Sequence, residues 1–258
     1  MSPLATGERN SAARLATALR AVGNVQLIVA LTMLPPILLA WWDDDGTARH
    51  FIETFVLMLA LGTALIVMTR GRRAELRLRD GFLVTTAAWL IAALLTPLPL
   101  MLGPPQLAYV DAVFEVVSGL TTTGGTAIVG IDALPRSVLL YRQLLHFLGG
   151  MGIVVLAVAI LPTLRVGGAQ LTKGETSGPN KDSKLTPRIQ QTAAALWLIY
   201  CGLNALCALA YWLGGMNWFD AVTHAFATIA TGGFGNYDAN FAAFNSPLLE
   251  AIAMVFMM

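Results

Sequence analysis

The chain is 258 residues long, 56% hydrophobic and only 12% charged, with a mean hydropathy of +0.67 and a formal net charge of +1. A soluble domain carries about twice that share of charge, so composition excludes a soluble globular protein. The near-neutral balance gives no footing for a nucleic-acid partner, and the long apolar runs describe a polytopic membrane protein.

The first stretch carries Arg9, Arg14 and Arg20 and shows no cleavable signal peptide, because the apolar run behind it is long enough to stay in the bilayer. Full-length apolar runs follow at Val22–Trp42, Phe51–Thr69, Gly81–Leu102, Ser137–Leu164 and Thr192–Gly215, and a sixth begins near Ser246. The connector Asp43-Asp44-Asp45 is acidic. The connectors Arg70–Arg79 and Arg165–Arg188 are basic.

Two further apolar segments are too short to span. One runs from Asp111-Ala112-Val113 to Thr121-Thr122-Thr123-Gly124-Gly125, the other from Asp220-Ala221-Val222 to Ile229-Ala230-Thr231-Gly232-Gly233. A helix of roughly 12 residues reaches only about 18 Å. A half-crossing helix followed by an irregular strand leaves backbone polar groups at membrane depth, which is tolerated only inside protein or along a watery path. Cation filters have this form: carbonyls on a Gly-containing strand replace the ion's hydration shell. Taken singly, each Thr/Gly string is also compatible with an ordinary turn; the recurrence favours the filter. The spacing is 109 residues between Asp111 and Asp220 but 108 between Gly124 and Gly232, which predicts copies that differ by one residue inside the pore helix.

Charge tests the topology. With a cytoplasmic N-terminus and two re-entrant segments, 13 of the 16 Lys/Arg fall inside, the exceptions being Arg49, Arg136 and Arg142. A true span at residues 109–122 would move Arg165–Arg188 outside and break the positive-inside rule. The resulting order is an N-terminal tail with two helices over residues 1–80, a helix–pore loop–helix repeat over 81–165, a cytoplasmic connector over 166–191, and a second repeat over 192–258. Parallel repeats pack about an axis along the membrane normal, a natural place for a pore.

The first filter string offers three hydroxyls besides its carbonyls, all hard oxygens suited to an alkali cation. The second leaves the work to carbonyls, so the two are unequal. Asp111, Asp132, Asp220 and Asp238 flank the strings and serve to concentrate cations, while Asp111 and Asp220 also read as helix N-caps. Glu115 inside the first pore helix requires a partner or water; Arg142 is a candidate, and the sequence leaves the pairing open. His146 and His224 read as packing residues, with proton relay as the alternative. Gly149-Gly150-Met151-Gly152 allows close approach between helices. Cys201 and Cys207 read as packing residues within an apolar helix. The sequence has no phosphate-binding loop, no H-E-x-x-H and no G-x-S-x-G elbow, so nothing supports an enzyme.

Tyr141-Arg142-Gln143, the run Leu148-Gly149-Gly150-Met151-Gly152-Ile153 to Pro162, Lys181-Asp182-Ser183-Lys184-Leu185-Thr186-Pro187-Arg188-Ile189 and Phe226-Ala227-Thr228-Ile229-Ala230-Thr231-Gly232-Gly233-Phe234 strongly resemble the Trk/Ktr/HKT family of potassium transporters, in particular its bacterial Trk membrane subunit. The resemblance covers nearly the whole chain. It implies an all-α, potassium-channel-like membrane protein: two accessory transmembrane helices, then helix–pore loop–helix repeats around a potassium pathway. It places Thr122, Thr123 and Gly124 along the first filter strand and Ala230, Thr231 and Gly232 along the second. Potassium is then held mainly by backbone carbonyls at Thr122, Thr123, Ala230 and Thr231. It further implies a homodimer in the bacterial inner membrane, contacts with membrane lipid, a cytoplasmic nucleotide-binding regulatory ring subunit, and no cofactor besides the transported potassium ion.

The family has four repeats per subunit; this chain holds one and most of a second, as expected of the N-terminal half of such a subunit. The alternatives are a half-size cation pore assembled from two or more copies, and a non-conducting membrane scaffold.

Overall fold

The computed structural model describes the backbone of residues 3–71, 74, 78–164 and 185–258, and side chains over 12–71, 74, 80–152 and 191–258. Most of both basic connectors, including Lys173, Lys181, Ser183 and Lys184, lies outside the described residues. Ten α-helices are described: α1 Pro3–Leu31, α2 Leu34–Asp43, α3 Ala48–Met68, α4 Leu78–Leu95, α5 Leu98–Leu102, α6 Tyr109–Leu120, α7 Arg136–Leu164, α8 Leu185–Leu213, α9 Trp218–Ile229 and α10 Pro247–Met257. Among the described residues, Ala12–Asp43, Ala48–Met68, Asp80–Leu102 and Gln191–Leu213 are long and apolar enough to cross a membrane. The protein is a multi-pass, all-helical membrane protein.

Two of the apolar runs are broken. Val22–Trp42 is interrupted at Thr32-Met33, and Gly81–Leu102 at Thr96-Pro97. Prolines at the start of α2 and α5 supply no N–H to continue the ladder. At each break a threonine hydroxyl folds back on the helix behind it, Thr32 Oγ1 to the Val29 carbonyl and Thr96 Oγ1 to the Ala92 carbonyl, both at 2.7 Å.

The chain forms two compact units, residues 1–118 with 126–142, and residues 119–125 with 143–258. In the first, α1 crosses α3 where Gly23 meets Gly62: a Cβ on Gly23 would stand 2.8 Å from the Gly62 carbonyl oxygen. Small residues at a crossing let backbones approach where no hydrophobic force drives helices together. Gln26, fully buried in α1, donates to the Ala88 carbonyl of α4 at 2.9 Å.

The acidic turn after α2 holds the start of α7. Arg136 Nη1 lies 3.1 Å from Asp43 Oδ1, and Ser137 donates to Asp45 Oδ2 at 2.6 Å. The three cations that break the charge count are each paired with a carboxylate: Arg49 with Glu53 at 2.8 Å, Arg136 with Asp43, and Arg142 with Glu115 at 2.8 Å.

In the second unit, Cys207, Tyr211, Ala221, Ala225, Leu249 and Ala253 form one core from α8, α9 and α10. The Tyr211 hydroxyl meets Thr228 Oγ1 at 2.6 Å, tying α8 to the last turn of α9. Cys207 is fully buried in this core, in line with a packing role.

Candidate functional site

The two short helices, α6 and α9, have 12 residues each. At 1.5 Å per residue each is about 18 Å long, well short of a roughly 30 Å hydrocarbon layer. Equal length overturns the expected one-residue difference between the copies, and the backbone shows why the strings misled. Both helices end in the same device: Thr122 N bonds the Gly119 carbonyl and Thr231 N bonds the Thr228 carbonyl, each at 3.0 Å. Thr122 (φ 54°) and Thr231 (φ 49°) are left-handed, and so are Gly124 (φ 75°) and Gly233 (φ 117°). Asp111/Asp220, Thr122/Thr231 and Gly124/Gly233 all share the 109-residue offset. The geometric partner of Gly124 is Gly233, and Thr123 corresponds to Gly232. The matching Thr-Gly-Gly letters are one position out of register with the matching conformations.

Left-handed φ in a threonine is costly and persists only where surrounding structure enforces it. Here the enforcement is close packing. In the second unit, a Cβ on Gly124 would fall on the Gly232 carbonyl oxygen, so the two loops touch backbone to backbone. Thr121 and Thr123 share a hydrogen bond between hydroxyls at 2.8 Å. Thr121, Thr123, Thr231 and Gly233 are exposed, Thr122, Gly124, Gly125 and Gly232 half-buried, and Ala230 buried. Ile229 is the last residue of α9, the counterpart of Leu120, and precedes the strand.

Helix α7 lies under both loops. A Cβ on Gly149 would fall on the Leu120 carbonyl oxygen, and one on Gly150 would stand 2.6 Å from the Tyr200 hydroxyl and 3.1 Å from Ala230 Cβ. The glycine run serves helix-to-loop contact as well as helix-to-helix contact. The His146 ring lies 2.6 Å from where a Gly232 Cβ would be, and its centroid stands 4.3 Å from that of the Phe234 ring, the two planes tilted by 33°. This is a packing role for His146, as its sequence position suggested. His224 also packs, among Tyr237, Phe241 and Phe244, with its Nδ1 2.9 Å from the Asp220 carbonyl.

Each of these short helices carries one buried carboxylate, and the two act at the same register of the segment that follows. In the first unit, Glu115 accepts from Thr126 Oγ1 and from Ala127 N, both at 2.9 Å, and pairs with Arg142. In the second unit, Asp220 accepts from the Asn236 side chain at 2.7 Å, and Asn236 lies 109 residues after Ala127. Asp220 also accepts from Tyr237 at 2.8 Å and Asn217 at 2.5 Å. Asp220 is therefore not the N-cap. Asn217 is: it accepts from Asp220 N at 2.9 Å, and Asp220 stands at the third helical position, where a capping box places its acid. Asp111 holds the same position in α6 and is exposed. Asp132 lies in the 3₁₀ turn Ile131–Ala133, and Asp238 is exposed.

Sequence reasoning missed three amides. Gln143 donates to the Phe234 carbonyl at 3.1 Å, Asn236 links it to Asp220, and Asn240 donates to the Gly233 carbonyl at 3.0 Å. A signal existed for one: an uncharged amide next to Arg142 inside an apolar span must find partners within the protein.

Comparisons with known proteins agree with this architecture. The profile of the cation transport protein family TrkH matches residues 47–258. The chain is similar to the Trk system potassium uptake protein TrkH of Halomonas elongata, 52% identical over 93% of this chain and 50% of that one. It is likewise similar to the Escherichia coli protein of the same name, 48% identical over 93% of this chain and 50% of the relative. The crystal structure of the potassium transporter TrkH from Vibrio parahaemolyticus superposes with a TM-score of 0.82 at 42% identity, over 94% of this chain and 48% of the other. The chain spans about half the length of the curated relatives it matches. With 212 consecutive residues inside the family profile and a solved relative of the same architecture, the chain belongs to the TrkH family of cation transport proteins.

Proposed function

We propose that this chain is part of a potassium uptake transporter of the bacterial inner membrane, in which Thr121–Gly125 and Ala230–Gly233 line a selective pathway. The reading is carried by one observation: two loops with the same sequence of left-handed residues touch at Gly124 and Gly232. Left-handed residues along a short strand turn successive carbonyls toward one side, and a cation that sheds its water needs such a set of oxygens. The relatives are potassium uptake proteins by name, which supplies the ion. Potassium lies against the carbonyls of Thr122, Thr123, Ala230 and Thr231, with no covalent chemistry. The basic connectors face the cytoplasm together with the N-terminus. The working assembly is a homodimer gated by a cytoplasmic nucleotide-binding ring, by likeness to the family.

Complementation decides between transport and scaffold. The natural protein at its native length is expressed in bacteria lacking potassium uptake systems, and growth is followed at limiting potassium. Restored growth with saturable potassium uptake is expected. Membrane-inserted protein that restores no growth overturns the reading in favour of the scaffold.

A further inference from the structure

Helix α7 turns one face toward the second loop, with Gln143, His146 and Gly150 at helical spacing i, i+3 and i+7. Gln143 is fully buried; its Nε2 lies 3.1 Å from the Phe234 carbonyl oxygen and 3.4 Å from Asn236 Oδ1. Asn236 donates through Nδ2 to Asp220 Oδ1 and to Thr223 Oγ1, both at 2.7 Å. Asn236 thus turns its nitrogen to Asp220 and its oxygen to Gln143. That choice orients the next amide: Gln143 presents its nitrogen to Asn236 Oδ1 and to the Phe234 carbonyl. One residue earlier in the loop, Asn240 Nδ2 stands 3.0 Å from the Gly233 carbonyl oxygen. Two consecutive carbonyls of the second loop are thus engaged by side-chain amides.

We propose that Gln143 is a specificity-determining positioning residue: with Asn236 and Asn240 it engages the carbonyls of Phe234 and Gly233, so that the ion-facing oxygens of the second loop end at Gly232. The inference rests on the reading of these loops as a filter. A filter distinguishes ions by the number and field strength of its oxygens. A carbonyl aimed at an amide hydrogen is withdrawn from that set, and releasing it adds a ligand or shifts its neighbours. The first loop has no such clamp on its glycine among the hydrogen bonds described; its anchor is the Glu115 carboxylate acting on Ala127 N. The two loops would then fail differently when disturbed.

The test uses the natural protein at native length, reconstituted in liposomes, with the potassium-to-sodium permeability ratio as readout. Gln143→Glu keeps the size but sets carboxylate oxygens against two acceptors, and Asn240→Ala frees the Gly233 carbonyl at the rim of the buried core. Both variants should lower the ratio roughly two- to tenfold, the scale of one net hydrogen bond. Loosened packing alone would reduce total flux and leave the ratio unchanged. If Gln143→Glu does not fold, Asn240→Ala decides alone. A wild-type ratio in either folded variant overturns the proposal. Wild-type protein without selective flux removes the filter reading itself, and this inference with it.

Discussion

Arg142 and Glu115 form an ion pair at 2.8 Å in which both side chains have no solvent exposure. Each is a charge buried within the apolar part of its helix, and neither would be tolerated there alone. The pair is tied to the strand that follows Gly125: Arg142 Nη2 lies 3.3 Å from Thr126 Oγ1, and Glu115 takes Thr126 Oγ1 and Ala127 N. The hydrogen bonds around the charges matter as much as the charges. They satisfy the carboxylate's remaining lone pairs and so offset desolvation.

Removing one partner leaves the other buried and uncompensated. Arg142→Met and Glu115→Leu should each lower stability by about 3–5 kcal/mol, and the double variant should recover much of that loss. Thermal unfolding of detergent-purified protein measures this. Additive losses in the double variant would show that the pair is not coupled.

The loop glycines are not equivalent. Gly124→Ala meets both a left-handed φ of 75° and the backbone of Gly232, and it should abolish uptake. Gly233→Ala meets only the φ of 117°, its Cβ having open space to 3.8 Å, and should cost about 1–2 kcal/mol. Uptake assays at matched membrane abundance rank the two. The reverse order would show that loop contact is unimportant.

Gly232→Ala has a different problem, because its Cβ would strike the His146 ring at 2.6 Å while its own φ is not left-handed. A smaller residue at position 146 should therefore relieve it. Gly232→Ala is expected to impair uptake, and Gly232→Ala with His146→Ala to restore part of it. No recovery in the double variant, with His146→Ala alone functional, would place the fault in the loop backbone.

Gly23→Leu should separate α1 from α3, since the added carbons would meet the Gly62 carbonyl and the Leu65 and Ile66 side chains at 2.8–3.1 Å. Overpacking of this kind costs about 1–3 kcal/mol. The measurement is yield of monodisperse protein after detergent extraction, with Gly81→Leu, which meets nothing within 4 Å, as the control. Equal yields would refute a close crossing at this point.

Orientation is checked by labelling. A cysteine at Asp44, exposed beyond α2, should react with a membrane-impermeant thiol reagent from outside intact cells, and one at Ser183 should not. External labelling at Ser183 would refute two re-entrant segments.

The amino-acid sequence by itself determined the membrane class and the two half-length helices. Hydrophobic length and the placement of Lys and Arg are local, additive properties, read without knowing what touches what. It also showed that Glu115 needed a partner, because the cost of an unpaired charge in an apolar helix does not depend on the fold. Tertiary structure alone decided which partner answered. It also decided the true register of the repeat, since Gly124 pairs with Gly233 by backbone torsion while the letters Thr-Gly-Gly pair it with Gly232. Torsion in these loops is set by contact with α7 and with each other, through Gly149, Gly150 and His146. The amide relay Asp220–Asn236–Gln143 was hidden for the same reason: Gln143 lies far in the chain from the other two, and only the hydrogen bonds made once α7 meets the second loop give the three a common task.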